Sequence, residues 1–253
     1  MKKSKKGQIT IFVIIALIIV AIIIILFVIL RTPFTQKISV ENPRIYLEDC
    51  IKKSLEKNEK LILDKNFYLN LDHNFVLYSK EKVPYLCISG QFYAPCINQE
   101  PMLIEFVRKE IESLTHKDAE ICFSDLIDQL RKSDYKVQES DMTFSIILQD
   151  KIILADIKKE IIIEKNEDKR VVEIWDTKIS SSLFQFLDTA RNIVNFESTL
   201  CEFDSLNWMR YYSDILIKKF VASDQSKIYS LEDKLTEQEV KFAVKTCVLP
   251  AGI

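Results

Sequence analysis

The sequence predicts an α+β fold: a single N-terminal transmembrane helix, then a disulfide-bonded domain with an antiparallel sheet and packed helices. Three observations predict it. Residues 9–30, ITIFVIIALIIVAIIIILFVIL, carry no charge, and Thr10 is their one polar side chain. All six cysteines follow that run. Near residue 140 the apolar spacing changes from every three or four residues to every two, the shift from helical to strand period.

The apolar run is long enough to cross a bilayer core of about 30 Å at ~1.5 Å per helical residue. Lys2, Lys3, Lys5 and Lys6 precede it, so the positive-inside rule places residues 1–8 in the cytoplasm as a basic leader and the rest of the chain outside. A cleaved secretory signal would have an apolar core of about 7–15 residues ending in small residues. Here the alanines, Ala16 and Ala21, lie deep in the run, which ends at Leu30-Arg31-Thr32-Pro33. Pro33 stops the helix, and residues 31–41 form a neck.

Residues 42–139 read as a helical, membrane-proximal part. Asn42-Pro43 is a helix start, and Leu47, Ile51 and Leu55 with Cys50 beside them predict an amphipathic helix over 43–63. A short alternating run, 74–78, leads to a loop between Cys87 and Cys96. Pro101 opens a second helix with a stripe of Leu103, Val107, Ile111, Leu114, Cys122, Leu126 and Leu130 and a break expected near His116-Lys117-Asp118. Residues 140–253 read as an antiparallel sheet plus helices. Runs 143–148, 151–163 and 171–179 are joined by polar turns. Ser180–Ser182 and Asp204 cap two helices, the second carrying Trp208, Tyr211, Tyr212 and Ile215 at helical spacing. A hairpin of 226–231 with 238–248 follows.

An even number of cysteines outside the cytoplasm reads as disulfides. Gly90 and Pro95 let CISGQFYAPC fold back, which favours Cys87 with Cys96. Cys50 and Cys122 share apolar helix faces, leaving Cys201 with Cys247. Six cysteines allow 15 pairings, so this set is an expectation. No C-x2-C pair is present, so the spacing does not suit zinc, and no metal or cofactor is expected.

Composition excludes several functions. Five of the 35 Lys and Arg residues lie at or before Arg31 and none of the 37 acidic ones does, so the outer part carries about −7. That charge argues against nucleic acid as a partner. Three glycines, Gly7, Gly90 and Gly252, cannot build a phosphate-cradling loop, so no nucleotide is expected. His73 and His116 stand 43 residues apart, too far in sequence to suggest a shared site. No catalytic motif or N-glycosylation sequon is present, and no catalytic residue is assigned. Asn166-Glu167-Asp168 and Ser230-Leu231-Glu232-Asp233 suit turns more than calcium. Trp208, Tyr211 and Tyr212 form either part of the core or a binding platform.

Lys5-Lys6-Gly7-Gln8 abutting an apolar span resembles the class III signal of archaeal type IV pilin-like proteins, which implies peptidase cleavage between Gly7 and Gln8. Phe12 stands where such pilins carry Glu, and Pro33 interrupts their usual continuous helix. The remainder, with Asp49-Cys50, PYLC at 84–87, PCINQEP at 95–101 and FAVKTCVLPAGI at 242–253, resembles membrane-anchored archaeal proteins, a likeness that implies no activity. The expected function is a non-catalytic, membrane-anchored structural or binding module of the cell surface. A pilin-like filament subunit or accessory and an anchored extracytoplasmic enzyme are the alternatives. Its partners would be the lipid bilayer through residues 9–30 and, as a binding module, a protein at the cell surface.

Overall fold

The computed structural model describes residues 18–20, 42–72 and 74–250. Ile18–Val20 are helical; the rest of the expected span, the leader with Gly7 and Gln8, the neck to Glu41, and His73 lie outside the described residues. Among the described residues no helix is long and apolar enough to cross a membrane. Val40–Ile253 form one compact unit.

Helix α1 (Pro43–Asp64) starts at Asn42-Pro43, though the Asn42 side chain, expected as its cap, makes no capping bond, and it buries Leu47, Ile51, Leu55 and Ile62 on one face. Strands β1 (Phe75–Tyr78), β2 (Glu81–Ile88) and β3 (Ile97–Asn98) follow. Helix α2 (Leu103–Lys132) runs unbroken for 30 residues, so the break expected at His116–Asp118 is absent. Its buried stripe passes through Thr115 and Ala119, small residues that an apolar count skips. Thr115 Oγ1 and Asp118 Oδ2 accept from Asn58 Nδ2 of α1 at 3.3 and 3.1 Å. The Cys50–Cys122 disulfide joins the same two helices.

Strands β4 (Lys136–Glu139), β5 (Thr143–Gln149), β6 (Ile152–Lys165) and β7 (Asp168–Ser180) form an antiparallel sheet. β6 is its axis: β4 and β5 share one edge and β7 takes the other. Asn166 and Glu167, both at positive φ, make the tight β6–β7 turn expected from the sequence. Ile153, Ala155, Ile157, Ile161 and Ile163 bury one face of β6, where α1 packs beside β7 and α2 beside β5. Glu112 of α2 accepts from the Ile146 amide of β5 at 2.8 Å and fixes that contact.

Helix α3 (Leu183–Leu200), the short helix α4 (Ser205–Tyr211) and strands β8 (Ile215–Val221), β9 (Lys227–Asp233) and β10 (Glu239–Lys245) follow among the described residues. The serine cap expected at Ser180–Ser182 differs in detail: Ser182, at the N-cap, makes no side-chain bond to the helix. Ser181 Oγ accepts from the Leu183 amide, whereas the Ser182 hydroxyl donates to Asp233. The aromatic helix stops at Tyr211, and Ile215, expected on it, opens β8 instead. Ile215 and Ile217 are buried on alternate positions, the period of a strand.

The second sheet has the order β1-β2-β10-β9-β8, with β3 on β2. Every pairing is antiparallel except β10 with β2, which is parallel. The fold is thus α+β, but with two sheets rather than one, and strands from before residue 140 pair with strands from after it. α3 packs against β10, β2 and β3, burying Phe186, Leu187, Ala190 and Ile193; in the same core Tyr229 stacks on Phe242 at 5.5 Å. Elsewhere on the sheet Val83, Tyr85, Ile228 and Ala243 form a smaller cluster. Tyr78 of β1 reaches Phe220 of β8, rings 5.6 Å apart, so the sheet curls until its edges meet. Cys87–Cys96 closes the β2–β3 loop and Cys201–Cys247 ties the end of α3 to the segment after β10.

Candidate binding site

The chain places two of the three aromatic residues singled out by sequence in a cleft. Asp204 Oδ1 accepts from the Asn207 amide at 3.0 Å and starts α4, and Phe203 beneath it is buried against Trp208 and Tyr229. Trp208 stacks on Tyr212 at 4.4 Å, with 21° between the planes. That stack fixes the Tyr212 ring while leaving 52% of the residue exposed, and Tyr211 beside it is 79% exposed. Trp208 supports the platform from behind; Tyr211 and Tyr212 line a cavity of about 330 Å³.

Two other segments complete that cavity: Asp150 and Lys151 from the β5–β6 turn, and Gln185 and Asp188 from the start of α3. Lys151 Nζ lies 2.7 Å from Asp214 Oδ2, spanning 63 residues of sequence. Each raises or lowers the other in the expected sense: the hydrogen bond and charge of Asp214 push the Lys151 ammonium up, and those of Lys151 hold the Asp214 carboxyl down. Asp188 is held by Arg191 at 2.5 Å and by Asn192 Nδ2 at 3.2 Å. Asp150 has no ion-pair partner among the described residues. The Lys234 amide and Nζ donate to the Asp214 and Ser213 carbonyls and pin the loop after α4. Lys151 adopts φ 60°, a left-handed conformation that favours glycine, yet a lysine occupies it.

A larger cavity, about 510 Å³, lies between α2 and the β4–β5 loop and contains His116, Arg131, Glu139 and Lys159. One ion pair, Lys159 with Glu139, crosses it. Lys159 Nζ is 2.8 Å from Glu139, donates to the Ser140 carbonyl at 2.9 Å and sits over the Phe123 ring. His116 packs on Phe144.

Of the two acidic runs, Asn166-Glu167-Asp168 makes the β6–β7 turn, whereas Ser230–Asp233, expected as a turn, is the end of strand β9, with Asp233 alone serving the turn that follows. Asp168 pairs with Arg170 at 3.1 Å beside the β6–β7 turn, and Asp233 Oδ1 accepts from the Leu235 and Thr236 amides at 2.7 and 2.8 Å. Burial would raise the Asp233 carboxyl, but these bonds and that from Ser182 outweigh it and hold it low. Among the described residues no group of three or more His, Cys, Asp or Glu is placed to hold a metal ion.

Sequence reasoning missed a buried polar centre. Glu197 of α3, fully buried, accepts from the Tyr229 hydroxyl and from Lys227 Nζ, the latter at 2.8 Å. Lys227 also donates to the Cys201 carbonyl and pairs with Glu202 at 2.9 Å. Burial, with the Glu197 hydrogen bond second, pushes the Tyr229 hydroxyl far above its ordinary value. With every partner satisfied and Glu197 inaccessible, the group braces α3 against the sheet beside Cys201–Cys247. Glu197 could have been flagged as a charge on the buried side of an amphipathic helix; its partners could not. No protein-family model, curated protein or solved structure matches the chain.

Proposed function

We propose that the chain is a single-pass membrane-anchored module that holds residues 42–253 outside the cytoplasm, as a non-catalytic structural or binding component of the cell surface. One observation supports this reading above the others: all six cysteines are joined, 50 with 122, 87 with 96 and 201 with 247, and none is free. Disulfides persist in oxidising compartments and are rare where thiol buffers keep cysteines reduced. The domain that carries them follows a run of 22 uncharged residues preceded by four lysines, and that order of parts suits an N-in anchor.

The test is thiol accounting in cells quenched with acid. A maleimide–polyethylene glycol reagent adds nothing before reduction and six adducts after it if the domain sits in an oxidising space. Protease added to spheroplasts then trims the domain while a cytosolic marker survives. Free thiols at these positions in quenched cells sink the proposal.

A further inference from the structure

The geometry points to the cleft between the β5–β6 turn, the start of α3 and the loop after α4 as a binding site for a neutral saccharide. This rests on the reading of the domain as a surface binding module and names the ligand class of its cleft.

Two tyrosine rings stand exposed at the cleft, and one is held in place by stacking on Trp208. An exposed ring whose orientation is fixed by packing is a ready surface for a flat ligand, because little side-chain entropy is lost on binding. The face of such a ring carries the negative end of its quadrupole, which attracts the polarised C–H groups on one side of a pyranose.

The remaining wall combines Phe184 and Ile215 with polar side chains whose charges are largely matched. Asp214 is matched by Lys151 and Asp188 by Arg191, leaving Asp150 as the carboxylate of the cleft lining without an ion pair among the described residues. An anion would meet three carboxylates. A cation would meet Lys151 and compete with ammonium and guanidinium groups already in place. An apolar ligand would strip water from all of these groups without replacing their hydrogen bonds. A polyol avoids each penalty, because every hydroxyl both donates to a carboxylate and accepts from an ammonium or amide N–H. The Lys151–Asp214 pair is largely solvent-exposed, with side chains 59% and 43% accessible. Such a pair is weak, so a hydroxyl can insert between its partners or bridge them. A volume of about 330 Å³ lies at the small end of the range for ligand clefts and suits one or two sugar rings, with a longer chain continuing over Tyr211.

The experiment uses the full chain in nanodiscs, titrated calorimetrically with neutral oligosaccharides of hexose and N-acetylhexosamine, with an oligouronate and choline as charged comparators. A neutral oligosaccharide should bind with a Kd of about 1 mM or tighter. Tyr211→Ala and Tyr212→Ala should each weaken it about tenfold, while Tyr211→Phe, which keeps the ring, should stay within about twofold. Thermal melts confirm that each variant remains folded. No binding by any neutral sugar, tighter binding of choline or the oligouronate, or affinity indifferent to both alanine variants overturns the assignment. Sugar binding by a protein whose cysteines are reduced in cells would instead overturn the surface location and leave the site standing.

Discussion

Two buried carboxylates, Glu59 and Glu197, show how differently one residue type behaves when its partners differ. Glu197 is compensated by Lys227 and Tyr229. Lys227→Met should therefore cost about 3–5 kcal/mol, because it strands a buried charge, whereas Lys227→Met combined with Glu197→Gln should recover a large part of that loss. Denaturant titration of the oxidised chain measures both; a single variant no worse than the double would show that the pair is not coupled. Glu59 on α1 is 5% exposed and its Oε1 has no hydrogen-bond partner among the described residues. Burial raises its carboxyl, offset in part by the Ser181 hydroxyl. A raised folded-state value means that the folded protein holds this proton more tightly than the unfolded chain does. Its stabilising contribution is complete below the unfolded value of about 4.3 and is lost as pH rises through the folded value. Glu59→Gln should thus stabilise by about 1 kcal/mol at neutral pH and by almost nothing near pH 4. Destabilisation at neutral pH would show that the carboxylate is engaged rather than stranded.

Among the elements, the disulfides differ in what they constrain. In the chain-entropy model the 72-residue separation of Cys50–Cys122 and the 46-residue separation of Cys201–Cys247 are each worth about 4 kcal/mol, and the nine-residue Cys87–Cys96 loop about 2.5 kcal/mol. Replacing each pair with serines should give midpoints of urea unfolding in that order, the short loop least affected. A Cys87/Cys96 variant as damaged as the other two would mean that the loop does more than close on itself. α1 was legible from Asn42-Pro43 and a four-residue apolar spacing, and β5, β6 and β7 from alternation around Asn166-Glu167, because these signals are local. The cysteine pairing was legible because Cys50 and Cys122 lie in phase with apolar helix faces. β8 was not, since Trp208, Tyr211, Tyr212 and Ile215 continue a helical count past the point where the helix ends. Nor was the parallel pairing of β2 with β10: Pro84 interrupts the strand signal, and Tyr85 and Ala243 meet at a sequence separation of 158. The cleft was half visible. Its tyrosines stood out as aromatics, while Lys151 and Asp214 are ordinary surface charges until the fold brings them together.

For the whole molecule, the interleaving of early and late strands makes the domain indivisible. β10 lies between β2 and β9 and supplies Val240, Phe242 and Val244 to the core. A chain ending at Gln238 should lose near-ultraviolet dichroism and cooperative unfolding altogether, rather than lose one sheet; a cooperative transition in that truncation would refute the point. The same placement sets a timetable for maturation. The strand at the heart of the second sheet is translated after every other strand among the described residues, and at ~5–20 residues per second the ribosome takes on the order of seconds to go from Cys201 to Cys247. Throughout that interval Cys201 waits without its partner, while Cys50, Cys87, Cys96 and Cys122 have already been made. The nine-residue loop and the helix–helix link can oxidise during synthesis, and the third bond forms only after β10 docks. A thiol trapped early on the nascent chain should therefore be Cys201, and scrambled species should consist of its bonds to the four cysteines made before it.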